Sequence, residues 1–290
     1  MLTWTVSPED DGRRLREILR GPMGLSYTAL KSAKWNGEIR LNGVRSAVDV
    51  RVRAGDLVEV LPPESAPAYT PAPCPIPLSI PYEDAYLLVV DKPAPLASQS
   101  SRNQPADSLE NAVFSHFGCP EGFIYRPVNR LDRGTSGLMV IARDGHTQDL
   151  LQRALHSEDF VREYLALTEG IPSPRSGIVD LPIAKEDAAS VRREVRADGK
   201  PARTHYRVVR EFSSPRPRAL VRLRLETGRT HQIRVHLAAL GCPVCGDFLY
   251  GTELPEEFPR RFALHSAFLR FIHPITGVPV ELESIPAWGK

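Results

Sequence analysis

Residues 126 to 141 read Arg-Pro-Val-Asn-Arg-Leu-Asp-Arg-Gly-Thr-Ser-Gly-Leu-Met-Val-Ile, and one carboxylate, Asp132, stands there between Arg130 and Arg133. Opposite charges close by favour the ionised form of a carboxylate, which a nucleophile or an electrostatic partner requires. Gly134, Thr135, Ser136 and Gly137 bring backbone freedom and short polar side chains, so a tight bend is expected before the apolar run Leu138 to Ala142 enters a strand. Asp132 is therefore expected on a loop held by a sheet, where catalytic groups often sit. The same local chemistry equally describes a surface ion pair.

Two further stretches could add chemistry. Phe160 to Leu167 reads as a strand carrying Arg162 and Tyr164, and a tyrosine in a strand packs more often than it reacts. Glu226 to Gly241 reads as a strand end, a Gly turn and a helix whose apolar stripe is Ile233, Leu237 and Leu240, with Gly241 as C-cap and Arg234 near the N-terminal end. His231, His236, His265 and His273 lack metalloprotease spacing, and turn or core hydrogen bonds are their expected use. Cys242-Pro243-Val244-Cys245 has zinc or redox spacing but no second pair, so no metal is assigned.

The elements that must hold these residues follow from pattern. Residues 11 to 60 suggest two short basic helices, with Leu15, Ile18 and Leu19 at helical spacing, and then a small sheet turning at Asn42-Gly43. Eight prolines between Leu61 and Pro81 suggest an extended tether at a domain boundary. Beyond it come a buried strand at Leu87 to Val90, helices at Ser108 to Phe117 and Gln148 to Leu155, a charged excursion at Lys185 to Pro201 that reads as a solvated loop or an RNA contact, and half-buried antiparallel strands at 204–209 and 219–225. In the last of these Val221, Leu223 and Leu225 share one face, Arg222 and Arg224 the other.

At 290 residues, with 42% hydrophobic and 25% charged residues, the chain has the composition of an ordinary globular protein. The net charge of +2 does not argue for nucleic acid, so that case rests on where the arginines lie. No apolar run approaches a membrane span and the first ten residues lack the layout of a signal peptide; a cytoplasmic protein without membrane or obligate protein partner is the default.

Asn129 to Gly137 closely resembles the His-Arg-Leu-Asp-x-x-Thr-Ser-Gly signature of the RluA family of pseudouridine synthases, whose single aspartate is catalytic. Asn129 stands in place of the usual His and is assigned no role. The strand around Tyr164 resembles the family's Lys-x-Tyr-x-Ala, with Arg162 for the lysine, and Thr227 to His236 resembles Thr-Gly-Arg-x-His-Gln-x-Arg-x-His, whose second arginine, here Arg234, pairs with the aspartate. Lys92-Pro93 matches a family loop in which Pro95 replaces a glycine, and Gly246-Asp247-x-x-Tyr250-Gly251, Leu264-His265-Ser266 and His273-Pro274 also match. The front of the chain is similar to the alpha-L RNA-binding motif named for a ribosomal protein.

The resemblance implies an α+β chain: a pseudouridine synthase catalytic fold, mixed but mainly antiparallel with flanking helices, at residues 82–290, a Pro-rich linker at 62–81, and a small N-terminal α/β RNA-binding domain at 1–61. It implies catalysis by Asp132, Tyr164 and Arg234, and RNA contacts from Arg130, Arg133, Arg229, Arg13, Arg14, Lys31 and Lys34. The implied reaction isomerises uridine in RNA, ribosomal RNA first and transfer RNA second, without cofactor or metal. A non-catalytic RNA-binding protein and a carboxylate-dependent hydrolase are the rival readings; the first has no need of Asp132, Tyr164 and Arg234 together, and the second wants a paired acid and base, or an activated Ser with its His and Asp, and no such grouping has family-like context here.

Overall fold

A computed structural model describes residues 2–61, 69–101, 106–155 and 157–289, and divides the chain into two compact units, 1–70 and 71–290. Pro62, Pro63 and Pro67 of the expected tether lie outside the described residues.

The smaller unit comprises β1 (Leu2–Thr5), α1 (Leu15–Arg20), α2 (Tyr27–Asn36), β2 (Glu38–Leu41), β3 (Val44–Arg45) and β4 (Leu57–Leu61), its sheet ordered β1-β4-β2-β3. Asn42 and Gly43 both take positive φ, 53° and 79°, and set Leu41 opposite Val44, as a two-residue hairpin turn requires. Leu15, Ile18 and Leu19 bury the inner face of α1 against Val58 and Val60 of β4. The unit also begins earlier than its sequence pattern suggests: Leu2 to Thr5 pair with β4, a strand too short to show periodicity alone.

The larger unit contains β5 (Ser79–Glu83), β6 (Leu87–Lys92), α3 (Leu109–His116), β7 (Arg126–Pro127), β8 (Ser136–Ala142), α4 (Gly145–Ala154), β9 (Val161–Glu169), β10 (Ser176–Asp180), β11 (Ile183–Lys185), β12 (Arg193–Val195), β13 (Arg203–Phe212), β14 (Arg218–Leu225), α5 (Gln232–Ala239), β15 (Leu264–Ile272) and β16 (Pro279–Glu283). Among the described residues its main sheet runs β10-β13-β14-β9-β15-β8-β6-β5, with β16 beside β15 and β7 beside β8. Every pairing is antiparallel except β15 with β8, where His265 faces Ser136 and Ser266 faces Gly137. This is the mainly antiparallel α+β catalytic fold that the sequence implies.

The two faces of β6 and β8 explain their unbroken apolar runs. Leu88, Val90, Met139 and Ile141 enter a core closed by Leu109 and Val113 of α3, while Leu87, Val89, Leu138 and Val140 enter another closed by Leu151 of α4. A strand covered on both sides has no solvent face on which to alternate. Each such side chain contributes about 1.5 to 3 kcal/mol by leaving water, so the strand beside Asp132 sits on a firm base.

Two sequence expectations need correction. The tether ends sooner than residue 81: Cys74 is buried with its amide donating to Ser115 Oγ at 2.8 Å, and Ile76, Leu78 and Ile80 pack on the core before β5 pairs with β6. Apolar residues alternating with the prolines supply that packing. The charged stretch Lys185 to Pro201 is not simply a solvated loop, because β12 within it pairs with β11, which ends at Lys185, and Arg193 donates its amide to Tyr250 Oη at 2.8 Å. Ile183 anchors this hairpin against Ala202 and Val235.

Candidate active site

Asp132 occupies the short loop that feeds β8, and that loop is fixed at several backbone points. Ser98 Oγ donates to Leu131 O at 2.6 Å and lies 3.1 Å from Leu131 N, Leu96 N donates to Arg133 O at 3.0 Å, and Thr135 N donates to Asp132 O at 3.0 Å. Gly134 is dictated by its neighbour: a Cβ there would fall 2.6 Å from the Phe262 ring. Phe262 in turn lies under the Arg234 guanidinium, 4.2 Å from ring centre to Cζ.

Arg234 comes from the first turn of α5. Only 2% of it is exposed, and Asp247 beside it is fully buried. Its Nε and Nη2 donate to the two oxygens of Asp247 at 2.7 and 2.8 Å, which leaves Nη1 to reach Asp132 Oδ2 at 3.1 Å. Burial acts to lower the guanidinium pKa, but the bonds to Asp247 and the charge of Asp132 outweigh it and raise the value. An unpaired buried guanidinium would cost several kcal/mol, and the two-pronged clasp offsets that while aiming the third nitrogen.

The turn before α5 is held by one side chain. Gln232 Oε1 accepts from Arg229 N at 2.9 Å and Thr227 Oγ1 at 2.8 Å, and its Nε2 donates to Arg203 O and Thr204 Oγ1, each at 3.0 Å. His231 caps the helix in the left-handed region, φ 60°, with Nδ1 2.9 Å from Tyr250 Oη and Nε2 3.9 Å from Asp132 Oδ2. Burial lowers its pKa against the pull of Asp132, so neutral imidazole is favoured beside the carboxylate.

Tyr164 stands on β9, buried, its hydroxyl hydrogen-bonded to the Ser266 side chain; burial raises its phenol pKa. Lys92, at the end of β6, is fully buried and donates to Leu96 O at 2.7 Å and Pro93 O at 3.1 Å. Burial lowers its ammonium to about 7, with the charge of Asp132 acting in the opposite sense.

Asp132, Tyr164 and Arg234 line one cleft of about 880 Å³, and Arg130, Arg133 and Arg229 lie along it. The three expected catalytic residues thus meet, although they are far apart in the chain. Arg130 and Arg133 do not pair with Asp132, contrary to the reading of their spacing: both are exposed, and the carboxylate is reached instead by the Arg234 guanidinium and the His231 imidazole. Adjacent residues on a bending loop diverge, so proximity in sequence is not proximity of charge. Arg13, Arg14, Lys31 and Lys34 belong to the smaller unit. There Arg13 pairs with Asp10 at 2.5 Å and Arg14 with Asp49 at 3.9 Å, whereas Lys31 and Lys34 are exposed and Lys34 stands over the Trp35 ring. Cys242 and Cys245 are free and buried, and burial pushes the Cys245 thiol up to about 12, which makes it inert. No described helix is long and apolar enough to cross a membrane.

Asp247 and Lys92 are contributors to which sequence reading gave no role. Their signals were the Gly246-Asp247-x-x-Tyr250-Gly251 and Lys92-Pro93 matches, but only the fold shows that Asp247 reaches Asp132 through Arg234 and that Lys92 lies buried within the field of Asp132.

A family model described as RNA pseudouridylate synthase matches residues 86–239, which span the Asp132 loop, Tyr164 and Arg234. The chain belongs to the RluA family of RNA pseudouridine synthases. This synthase is 38% identical to the Bacillus subtilis RNA pseudouridine synthase YjbO over 88% of its own length and 89% of the relative's. It is 35% identical to the Vibrio cholerae ribosomal large subunit pseudouridine synthase D over 98% and 90%. Among solved structures, human RNA pseudouridylate synthase domain containing 1 superposes with a TM-score of 0.60 at 27% identity, covering 72% of this synthase and 84% of that chain.

Proposed function

We propose that this synthase isomerises specific uridines of large-subunit ribosomal RNA in the cytoplasm, with Asp132 as the reacting carboxylate. The observation that carries the mechanism is the line Asp247, Arg234, Asp132, in which a buried guanidinium is fixed at one end and holds the carboxylate at the other. Similarity to relatives described as ribosomal large subunit synthases, extending over nearly the whole chain, supports the choice of RNA.

Pseudouridine formation breaks the bond from uracil N1 to the ribose anomeric carbon, turns the base, and rejoins it through C5. Atoms are neither gained nor lost, so a carboxylate that attacks or stabilises charge, and a site that holds the freed base, suffice. Asp132, aimed by Arg234, acts on the sugar or on the uracil ring. Tyr164 packs on the base, and with its phenol raised by burial it remains protonated and able to exchange a proton with Ser266 or the ring. A uridine within folded RNA reaches the cleft only after leaving its stack. Arg130, exposed beside Asp132, fills the gap that it leaves.

Mapping pseudouridine across total RNA, in cells lacking the gene and in cells carrying Asp132→Asn, tests both parts. Loss at the same ribosomal positions in both strains is expected. Loss confined to transfer RNA would move the substrate, and modification retained in the Asp132→Asn strain would remove the carboxylate from the mechanism.

A further inference from the structure

Arg162 lies two residues before Tyr164 on β9, on the same face of the strand, and lines the same cleft. Only 6% of it is exposed. Other arginines of this region have acids: Arg234 has Asp247 and Asp132, and Arg222 has Glu163 at 2.9 Å. Arg162 forms no ion pair with any described carboxylate. Its Nε is buried without a hydrogen-bond partner, and its Nη2 has a single contact at the outer limit of hydrogen bonding, 3.5 Å from Leu155 O. Beside Nη1 stands Gly228, where a Cβ would come within 3.7 Å; with no side chain there, that edge of the guanidinium is left open.

A buried cation without a counter-ion is expensive, and folded proteins keep one where a ligand supplies the missing charge. Uracil and ribose are neutral, whereas the RNA backbone brings an anion whose two free oxygens match the planar fork of a guanidinium. We propose that Arg162 seats a backbone phosphate of the substrate RNA, the phosphodiester adjoining the uridine that enters the cleft. The inference rests on the reading of a flipped uridine at Asp132, and assigns the anchor that fixes its sugar relative to that carboxylate. Arg130, Arg133 and Arg229 are exposed and exchange their contacts with solvent. Arg162 is already dehydrated, so its contact with the phosphate is less screened than theirs.

Two measurements test this. The first is the salt dependence of kcat/KM on a ribosomal RNA transcript, for the wild type, Arg162→Gln and Arg162→Lys. Arg162→Gln is expected to lose about 10- to 100-fold in kcat/KM and to flatten the slope of log kcat/KM against log salt by about 0.7 to 0.9. Arg162→Lys restores the slope. Gly228→Ala, which covers Nη1 at ordinary contact distance, is expected to weaken KM with kcat less affected. A rate loss in Arg162→Gln with an unchanged slope would mean a contact to a neutral group or a structural role, and would overturn the proposal. The second measurement needs no RNA: inorganic phosphate is expected to raise the melting temperature of the wild type and not of Arg162→Met, which itself melts higher than the wild type in phosphate-free buffer because a lone buried charge is gone. Equal phosphate responses in the two proteins would also overturn it. If the wild type leaves every uridine of the transcript unchanged, the choice of substrate has failed, and the phosphate response still decides the role of Arg162.

Discussion

Arg234 is bound through Nε and Nη2 to Asp247 and presents Nη1 to Asp132 at 3.1 Å. The Asp132 carboxylate is thereby positioned by another carboxylate 115 residues further along the chain, through one guanidinium. Asp247→Asn would leave the guanidinium buried with half its charge balance gone. A loss of about 3 to 5 kcal/mol in urea unfolding is expected, with kcat falling in the folded fraction while KM changes little. An Asp247→Asn enzyme with wild-type kcat would show that Arg234 needs no such clasp.

Lys92 gives a pH signature. Its folded-state value of about 7 lies below the ordinary 10.5, so between those values the folded protein binds fewer protons than the unfolded chain, and stability rises with pH. Below about 7 both states are protonated and the full cost of burying the ammonium is present. The wild type is therefore expected to gain on Lys92→Met by about 1.4 kcal/mol for each pH unit across that window, read as the difference in unfolding free energy. A difference that does not vary with pH would place the Lys92 pKa near that of a free lysine.

Gly137 marks where β8 runs parallel to β15. It has φ +108°, and a Cβ there would lie 2.6 Å from Ser266 N and closer still to Ser266 O. Gly137→Ala forces a backbone shift between the strand that follows Asp132 and the one that carries the Tyr164 hydrogen-bond partner. Destabilisation of about 3 kcal/mol or more is expected, visible as a lower urea midpoint; a midpoint equal to the wild type's would mean that the two strands can separate at little cost.

On the smaller unit, Lys31 and Lys34 project from α2 with no acid partner among the described residues of the kind that holds Arg13 and Arg14. The double change Lys31→Glu, Lys34→Glu is expected to raise KM for ribosomal RNA by about tenfold or more and to reduce its salt dependence, with kcat retained. The corresponding Arg13→Glu change, made in a paired residue, is expected to act mainly on the stability of the unit. Unchanged KM and salt dependence in the lysine double variant would remove α2 from the RNA contact surface.

Much of this was legible in the chain. The covered strands at Leu87 and Leu138 showed themselves as continuous apolar runs, the Asn42-Gly43 hairpin by its turn residues, and the Asp132 loop by its glycines, because each depends on interactions between near neighbours. Asp132, Tyr164 and Arg234 could be named from their motifs. The pairing of Asp132 could not. Arg130 and Arg133 were nearest in sequence, yet the groups that reach it are the Arg234 guanidinium and the His231 imidazole, brought by α5 from about a hundred residues away.

The chain by itself determined the family and the α+β class and singled out Asp132 as the candidate carboxylate, since motif spacing and hydrophobic period are local properties. The tertiary structure decided which charges meet in the dry interior: that Asp247 clasps Arg234, that Lys92 lies buried within reach of the field of Asp132, and that Arg162 has no acid partner among the described residues. Those outcomes depend on which strands adjoin, and on the loss of water that makes each pairing, or its absence, matter.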